Sequence, residues 1–298
     1  MTDYETILYE EKGPIRLITL NRPETLNAIG EGMEEEIHDA LDVADDDDDA
    51  RVIIITGAGR AFSSGYDIGS ARNAGGMNLD TMMEEGQNAA EHISRWFKND
   101  RKMVKNQTHI LELSKPVIAC VHGWCMGGGT WLALTCDMTF ASEDATFGQP
   151  EVRMISNTSF LWTLLAGYKN SLRYSLTGDH VDAKEAHRIG LLNEVFPDKD
   201  AMMKEAFRIA ERISMISPET VATNKYIATL GLQAMGLREA LTNNWLLSAI
   251  AHSSQRPDFN RREMLEAAME NGMRGFLGVR DGPFQPEPFG PRSKPREE

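Results

Sequence analysis

The residues best able to do chemistry fall between Cys120 and Glu151, where Gly127-Gly128-Gly129 is followed by Trp131 and then by Gln149-Pro150-Glu151. A glycine triplet lets the backbone turn sharply at a strand end, approach a ligand closely and open a helix whose first amides point outward. That is an anion or oxyanion site in outline, although such a triplet also serves as a plain turn. A second loop of small residues runs from Gly57 to Ile68 and contains Ser64, Gly65, Tyr66 and Asp67. It is not G-x-S-x-G, so Ser63 and Ser64 are poor nucleophiles. Where two such loops meet, a pair of backbone N–H groups can hold one oxygen, each contributing about 3 kcal/mol to lowering a barrier. The matching chemistry is that of a carbonyl, most naturally a thioester.

Each loop follows a strand. Ile15–Leu20 reads as a strand stopped at Asn21-Arg22-Pro23. Asn27 to Val43 carries Met33, Ile37 and Leu41 at helical spacing, and Val52–Thr56 is a β-branched run suited to a strand buried on both faces. Val117–Val121 is another buried strand, feeding His122 and the triplet, with an interior helix over Thr130–Thr135. Met138–Ala141 and Ala145–Phe147 are short strands leading to Glu151. Strands alternating with helices predict an α/β fold with parallel pairing.

Between residues 71 and 113 a helix over 79–97 is expected, with Met83, Ala90, Ile93 and Phe97 inward and Lys98, Arg101, Lys102 and Lys105 following it. Past Ser171 the pattern is helical. Asp182 and Glu185 suit a helix start and Gly190 a stop, Asp200–Ile216 is amphipathic, Ser217-Pro218 is an N-cap with proline at N1, and Leu237, Leu241, Trp245 and Ser248 share one face. The last sixteen residues hold five prolines and are expected to follow the surface as an extended tail. The organisation expected is a core over 1–198 and a helical region with a proline-rich tail over 199–298.

The chain has 298 residues and a formal charge of −14, which disfavours nucleic acid and anionic membranes as partners. No apolar stretch is long enough for a membrane helix, and the N-terminus has no signal-peptide pattern, so a cytoplasmic location is expected. Asp45–Asp49 reads as a solvated loop rather than a metal site. Cys120, Cys125 and Cys136 lack zinc spacing and read as buried thiols.

Taken together, Leu20–Pro23 with Leu26-Asn27-Ala28, Ile55-Thr56-Gly57 with Ala61–Ile68, Lys115–Ala119 with Gly123 and Gly127–Gly129, Cys136-Asp137 with Ala145–Glu151, and Gly190–Val195 resemble the crotonase superfamily, the enoyl-CoA hydratase/isomerase group. The resemblance implies a crotonase-like spiral of β-β-α units, a C-terminal α-helical region that trimerises, sometimes as a dimer of trimers, and an acyl-CoA ligand. It implies no nicotinamide, flavin or metal; coenzyme A enters as part of the substrate. By position, Tyr66 and Gly128 would supply the oxyanion amides, Ser64, Gly65 and Asp67 would lie against coenzyme A, Gly127 and Trp131 would line the substrate, and Glu151 would be catalytic.

Hydratases of this group carry a first glutamate three residues after the middle glycine, where this chain has Trp131. Tryptophan is neither acid nor base at neutral pH, and its bulk would fill the place of the hydratase water and desolvate Glu151. The pattern with only the later glutamate resembles the enoyl-CoA isomerases. Arg153–Ser159 also departs from the group, placing polar Ser156, Asn157 and Ser159 near the substrate. A cleaving acyl-CoA lyase or hydrolase and a non-catalytic CoA-binding scaffold are the alternatives, and His122 is a second candidate base.

Overall fold

The computed structural model describes residues 3–30, 32–67, 89–154, 159–253, 261–291 and 293. The chain opens with strands β1 (Ile7–Lys12) and β2 (Ile15–Leu20), helix α1 (Met33–Asp46), strands β3 (Val52–Gly57) and β4 (Ala61–Ser63) and helix α2 (Ala89–Glu112). Strands β5 (Val117–Val121) and β6 (Trp124–Met126), helix α3 (Gly128–Thr135), strands β7 (Met138–Ser142) and β8 (Thr146–Gly148) and helix α4 (Phe160–Ser175) follow. The remainder is β9 (Val181–Asp182), α5 (Ala183–Arg188), β10 (Glu194–Phe196), α6 (Lys199–Ser214), α7 (Pro218–Ala234), α8 (Leu237–Ser253) and α9 (Arg261–Asp281).

The runs of Val and Ile in β3 and β5 leave no polar face, and both strands are buried throughout, inside a sheet ordered β1-β2-β3-β5-β7-β10. The strands from β2 to β10 pair in parallel, and β1 closes one edge as the antiparallel arm of a hairpin. A smaller sheet, β4-β6-β8-β9, lies alongside in the chain order. Strands β3, β5 and β7 each hand the chain to a short parallel strand of this second sheet, β4, β6 and β8 respectively. This is the expected α/β architecture. Because β4, β6 and β8 run parallel, the segments that leave them emerge at the same edge, and those segments hold Gly65, Gly127 and Glu151.

Several local expectations hold to within a residue or two. Ile15–Leu20 and Val117–Val121 are strands as predicted, the oxygen of Asp182 accepts from Glu185 N at 2.8 Å, and Ser217 accepts from Thr220 N at 3.3 Å with Pro218 at N1. Leu237, Leu241, Trp245 and Ser248 are all buried on α8.

Others are corrected. The helix expected over 79–97 holds over its described part, residues 89–97, but α2 runs on to Glu112, so Lys98 to Lys105 lie inside it rather than after it, and Ile93, expected inward, is exposed; residues 79–88 fall outside the described residues. Periodicity ended the helix too early, because its C-terminal half is held by buried Ile110 and by packing on α8. The aspartate run is solvated only in part: Asp46, Asp48 and Asp49 are exposed, whereas Asp45 and Asp47 are docked. Asp45 accepts from Ser114 N, Ser114 Oγ and Lys115 N at 2.9–3.1 Å, and Asp47 accepts from Arg16 Nε and Nη2 at 2.7 and 2.5 Å.

The tail does not simply follow the surface. Glu287 is 2% exposed and binds His180 N at 2.8 Å and Arg153 Nη1 at 3.0 Å, while Phe289 packs near Tyr174. A tail anchored by one buried carboxylate leaves no hydrophobic periodicity to read. No helix among the described residues is long and apolar enough to cross a membrane, and none of their acidic, histidine and cysteine side chains cluster as a metal site.

Candidate active site

The geometry begins at Asn27. With φ at +54° it sits in the left-handed region, which asparagine tolerates better than most residues. Its amide donates to Ala58 O and Ala61 O at 2.9 and 2.8 Å, and its oxygen accepts from Arg22 N at 2.9 Å. This pins the loop after β3 to the loop after β2. Arg22 in turn donates to Ala28 O at 2.7 Å and forms a partly buried ion pair with Asp67 at 3.3 Å. The Asp67 carboxylate is therefore spent on the scaffold, and its amide donates to Ile29 O.

Ser63 Oγ donates to Asn27 O at 2.8 Å and accepts from Gly65 N at 3.1 Å, fixing the turn that Gly65 makes at φ +90°. Ser64 Oγ reaches Thr25 O at 3.2 Å. Neither serine is placed as a nucleophile. A Cβ on Gly65 would lie 2.7 Å from Met126 O and 3.3 Å from Gly128 N, so the two glycine loops touch backbone to backbone. A Cβ on Gly128 would lie 2.7 Å from the Tyr66 ring. These two glycines are required by close approach.

Gly127 occupies φ +47°, ψ −117°, and its N–H donates to Gly148 O at 3.0 Å. It caps α3, whose first residue is Gly128, so the helix N-terminus points its amides at the junction of the loops. A Cβ on Gly127 would lie 3.3 and 3.4 Å from the two oxygens of Glu151. Glu151 sits on the short helical turn Pro150–Arg153 that follows β8. Its Oε1 is buried and has no hydrogen-bond partner among the described residues. Burial pushes its carboxyl up to about 8, against a small opposing pull from its own backbone amide and from Arg280.

That turn is braced by the C-terminal segment. Arg153 donates to Thr177 O at 2.9 Å and pairs with Asp281 at 3.2 Å, Glu287 at 3.0 Å and Asp179 at 3.4 Å. Ser159, expected near the substrate, caps α4 by accepting from Leu161 N and donates its own N–H to Gln149 Oε1; Ser156 and Asn157 lie outside the described residues.

Trp131 is 3% exposed, stacked edge-on against Trp245 at 5.0 Å and tilted against Tyr66 at 5.8 Å. His122 is buried with Nε2 at 3.0 Å from Gly59 O and 3.3 Å from Lys199 Nζ. It braces the β3–β4 turn. The three cysteines are free and buried, and burial pushes the Cys120 thiol up to about 12, so it is inert.

Sequence reasoning missed Glu34. It lies on α1 and accepts the Tyr66 phenol at 2.7 Å, and it lines a cavity of about 40 Å³ together with His38, Tyr66, Asn106, Gln107, Gly128 and Trp131. Burial holds its carboxyl above the usual range, opposed by hydrogen bonds from Tyr66 and Asn106. The only signal was helical spacing, since Glu34 and His38 lie one turn apart beside the buried Ile37 and Leu41.

The profile of the enoyl-CoA hydratase/isomerase family matches residues 10–277. A probable mitochondrial enoyl-CoA hydratase of Dictyostelium discoideum is 34% identical over 221 residues, 72% of each chain. A peroxisomal Delta(3,5)-Delta(2,4)-dienoyl-CoA isomerase of Arabidopsis thaliana is 33% identical over 214 residues, 70% of this chain and 75% of that one. The crystal structure of an enoyl-CoA hydratase/isomerase from Xanthobacter autotrophicus Py2 superposes with a TM-score of 0.81 at 34% identity, covering 95% of this chain and 99% of that one. The chain is an enzyme that belongs to the enoyl-CoA hydratase/isomerase family.

Proposed function

We propose that the enzyme shifts the double bond of an acyl-CoA thioester, with Glu151 as the single proton carrier and the amides of Tyr66 and Gly128 holding the thioester oxygen. The observation that supports this best is Glu151 itself, whose buried oxygen lacks a partner and which lies against the glycine turn that opens α3. An ionised Glu151 takes a proton from a carbon beside the thioester carbonyl, and the electron pair moves onto the carbonyl oxygen as an enolate. The two amides and the N-terminus of α3 stabilise that charge. The same carboxyl returns the proton to a different carbon as the enolate collapses, so the double bond moves and nothing is added. A carboxyl that titrates near neutrality is suited to both halves.

Trp131 fills the position from which a second carboxylate would hold water, and its indole is locked by Trp245 and Tyr66. Gly65, Gly127 and the backbone near Ser64 and Asp67 would receive the thioester arm of coenzyme A, with no cofactor beyond the substrate's own. Exposed Ile227, Leu230 and Leu247 on the C-terminal helices, with Met215 and Met235 at their ends, support a homotrimer or hexamer built through the 199–298 region, and the buried free thiols suit the cytoplasm.

Turnover of 2-enoyl-, 3-enoyl- and hydroxyacyl-CoA thioesters, with product identification, tests the reading. Interconversion of 3- and 2-enoyl isomers is expected, with hydration appearing only in Trp131→Glu. Efficient hydration by the wild type would contradict the role given to Trp131. Binding without turnover of any thioester would mark the protein as a scaffold, and cleavage products would mark a lyase.

A further inference from the structure

The cavity beside Gly128 holds polar groups that the proposed proton transfer does not use. Gln107, on α2, is 6% exposed, and neither its Nε2 nor its Oε1 has a hydrogen-bond partner among the described residues. Of the described side chains with unmatched buried atoms, it is the one with two such atoms, a donor and an acceptor. Trp131 Nε1, on the same wall, lacks an acceptor. A buried amide stripped of water and given nothing in return is costly, and an apolar residue would fill the position at no such cost. The cavity has room for about three water-sized groups.

We infer that this cavity is a polar subsite for an acyl group carrying a hydroxyl, with Gln107 as the recognising side chain, on an inner wall shared with Glu34, Asn106 and Trp131. This rests on the acyl-CoA reading, because the link to the reacting carbonyl is Gly128, which lines the same cavity. A hydroxyl fits for a reason of inventory. It accepts from Nε2 or from the indole and donates to Oε1, whereas a ketone would leave Oε1 unmatched and an alkyl chain would leave all three atoms so. A carboxylate at the chain end fits worse, since among the described lining residues there is no lysine or arginine and Glu34 is already there. The Glu34 carboxylate is engaged by Tyr66 and Asn106, which fixes the wall and leaves Gln107 as the adaptable group.

Calorimetric binding of saturated acyl-CoA thioesters tests this without depending on turnover. The probes are butanoyl-, pentanoyl- and hexanoyl-CoA, each with and without a terminal hydroxyl. At the chain length that reaches Gln107, the hydroxylated thioester should bind about tenfold more tightly than its plain partner. In Gln107→Leu and in Gln107→Met that ratio should fall to about one, with the plain thioester gaining. Equal binding of both partners by the wild type at every length, or a preference that survives both substitutions, would overturn the subsite while leaving the acyl-CoA reading in place. Failure of every thioester to bind would overturn both.

Discussion

Two half-buried glutamates stand near one glycine turn, and they differ in what surrounds them. Glu151 comes from a turn four residues long after a strand end, and its Oε1 has no partner among the described residues. Glu34 comes from the first turn of α1, and its carboxylate is held by the Tyr66 phenol and by Asn106. Burial raises both. A carboxylate that is buried and unmatched is poised to exchange a proton with whatever enters; one that is buried and hydrogen-bonded keeps its place and shapes the wall. On the proposed reading, Glu151 carries the chemistry and Glu34 the architecture.

The largest effect that separates them is on stability against pH. Glu151 is held neutral in the folded chain up to about pH 8, while an unfolded glutamate ionises near 4.5. Between those values the unfolded chain has released a proton that the folded chain retains, so stability falls as pH rises, by up to about 1.4 kcal/mol for each unit. Below 4.5 both states carry the proton and the contribution vanishes. Glu151→Gln should therefore gain on the wild type by a few kcal/mol between pH 4 and pH 8, read from denaturant midpoints. A gap that stays flat would mean that Glu151 is hydrated. A smaller effect is expected from Glu34→Gln, which keeps an acceptor for Tyr66 and should cost at most about tenfold in kcat/KM. A loss as large as that of Glu151→Gln would show that the two carboxylates act as a pair.

Much of the Glu151 side was legible in the sequence. Strands β3 and β5 are continuous apolar runs, Gly65 and Gly128 are glycines because a Cβ there would strike Met126 O or the Tyr66 ring, and Gly127 is one because of its φ of +47°. Such constraints are local, so motif spacing carries them. The Glu34 side was not legible, because Glu34, Tyr66 and Gln107 meet across α1, the loop after β4 and α2, and no spacing records contacts so distant in the chain. The same holds for Arg153, whose partners Asp281 and Glu287 lie over a hundred residues away and turn an apparently loose tail into a brace for the Glu151 turn.

The central claim, that Glu151 alone moves the proton of a thioester held at the glycine turn, is tested most directly by exchange of the α-protons of butanoyl-CoA into deuterated water, followed by NMR. Exchange should proceed with the wild type and increase as pH rises through about 8, as Glu151 ionises. With Glu151→Gln it should slow by a factor of about a hundred or more. Exchange of undiminished rate in Glu151→Gln, with the same pH dependence, would contradict the account.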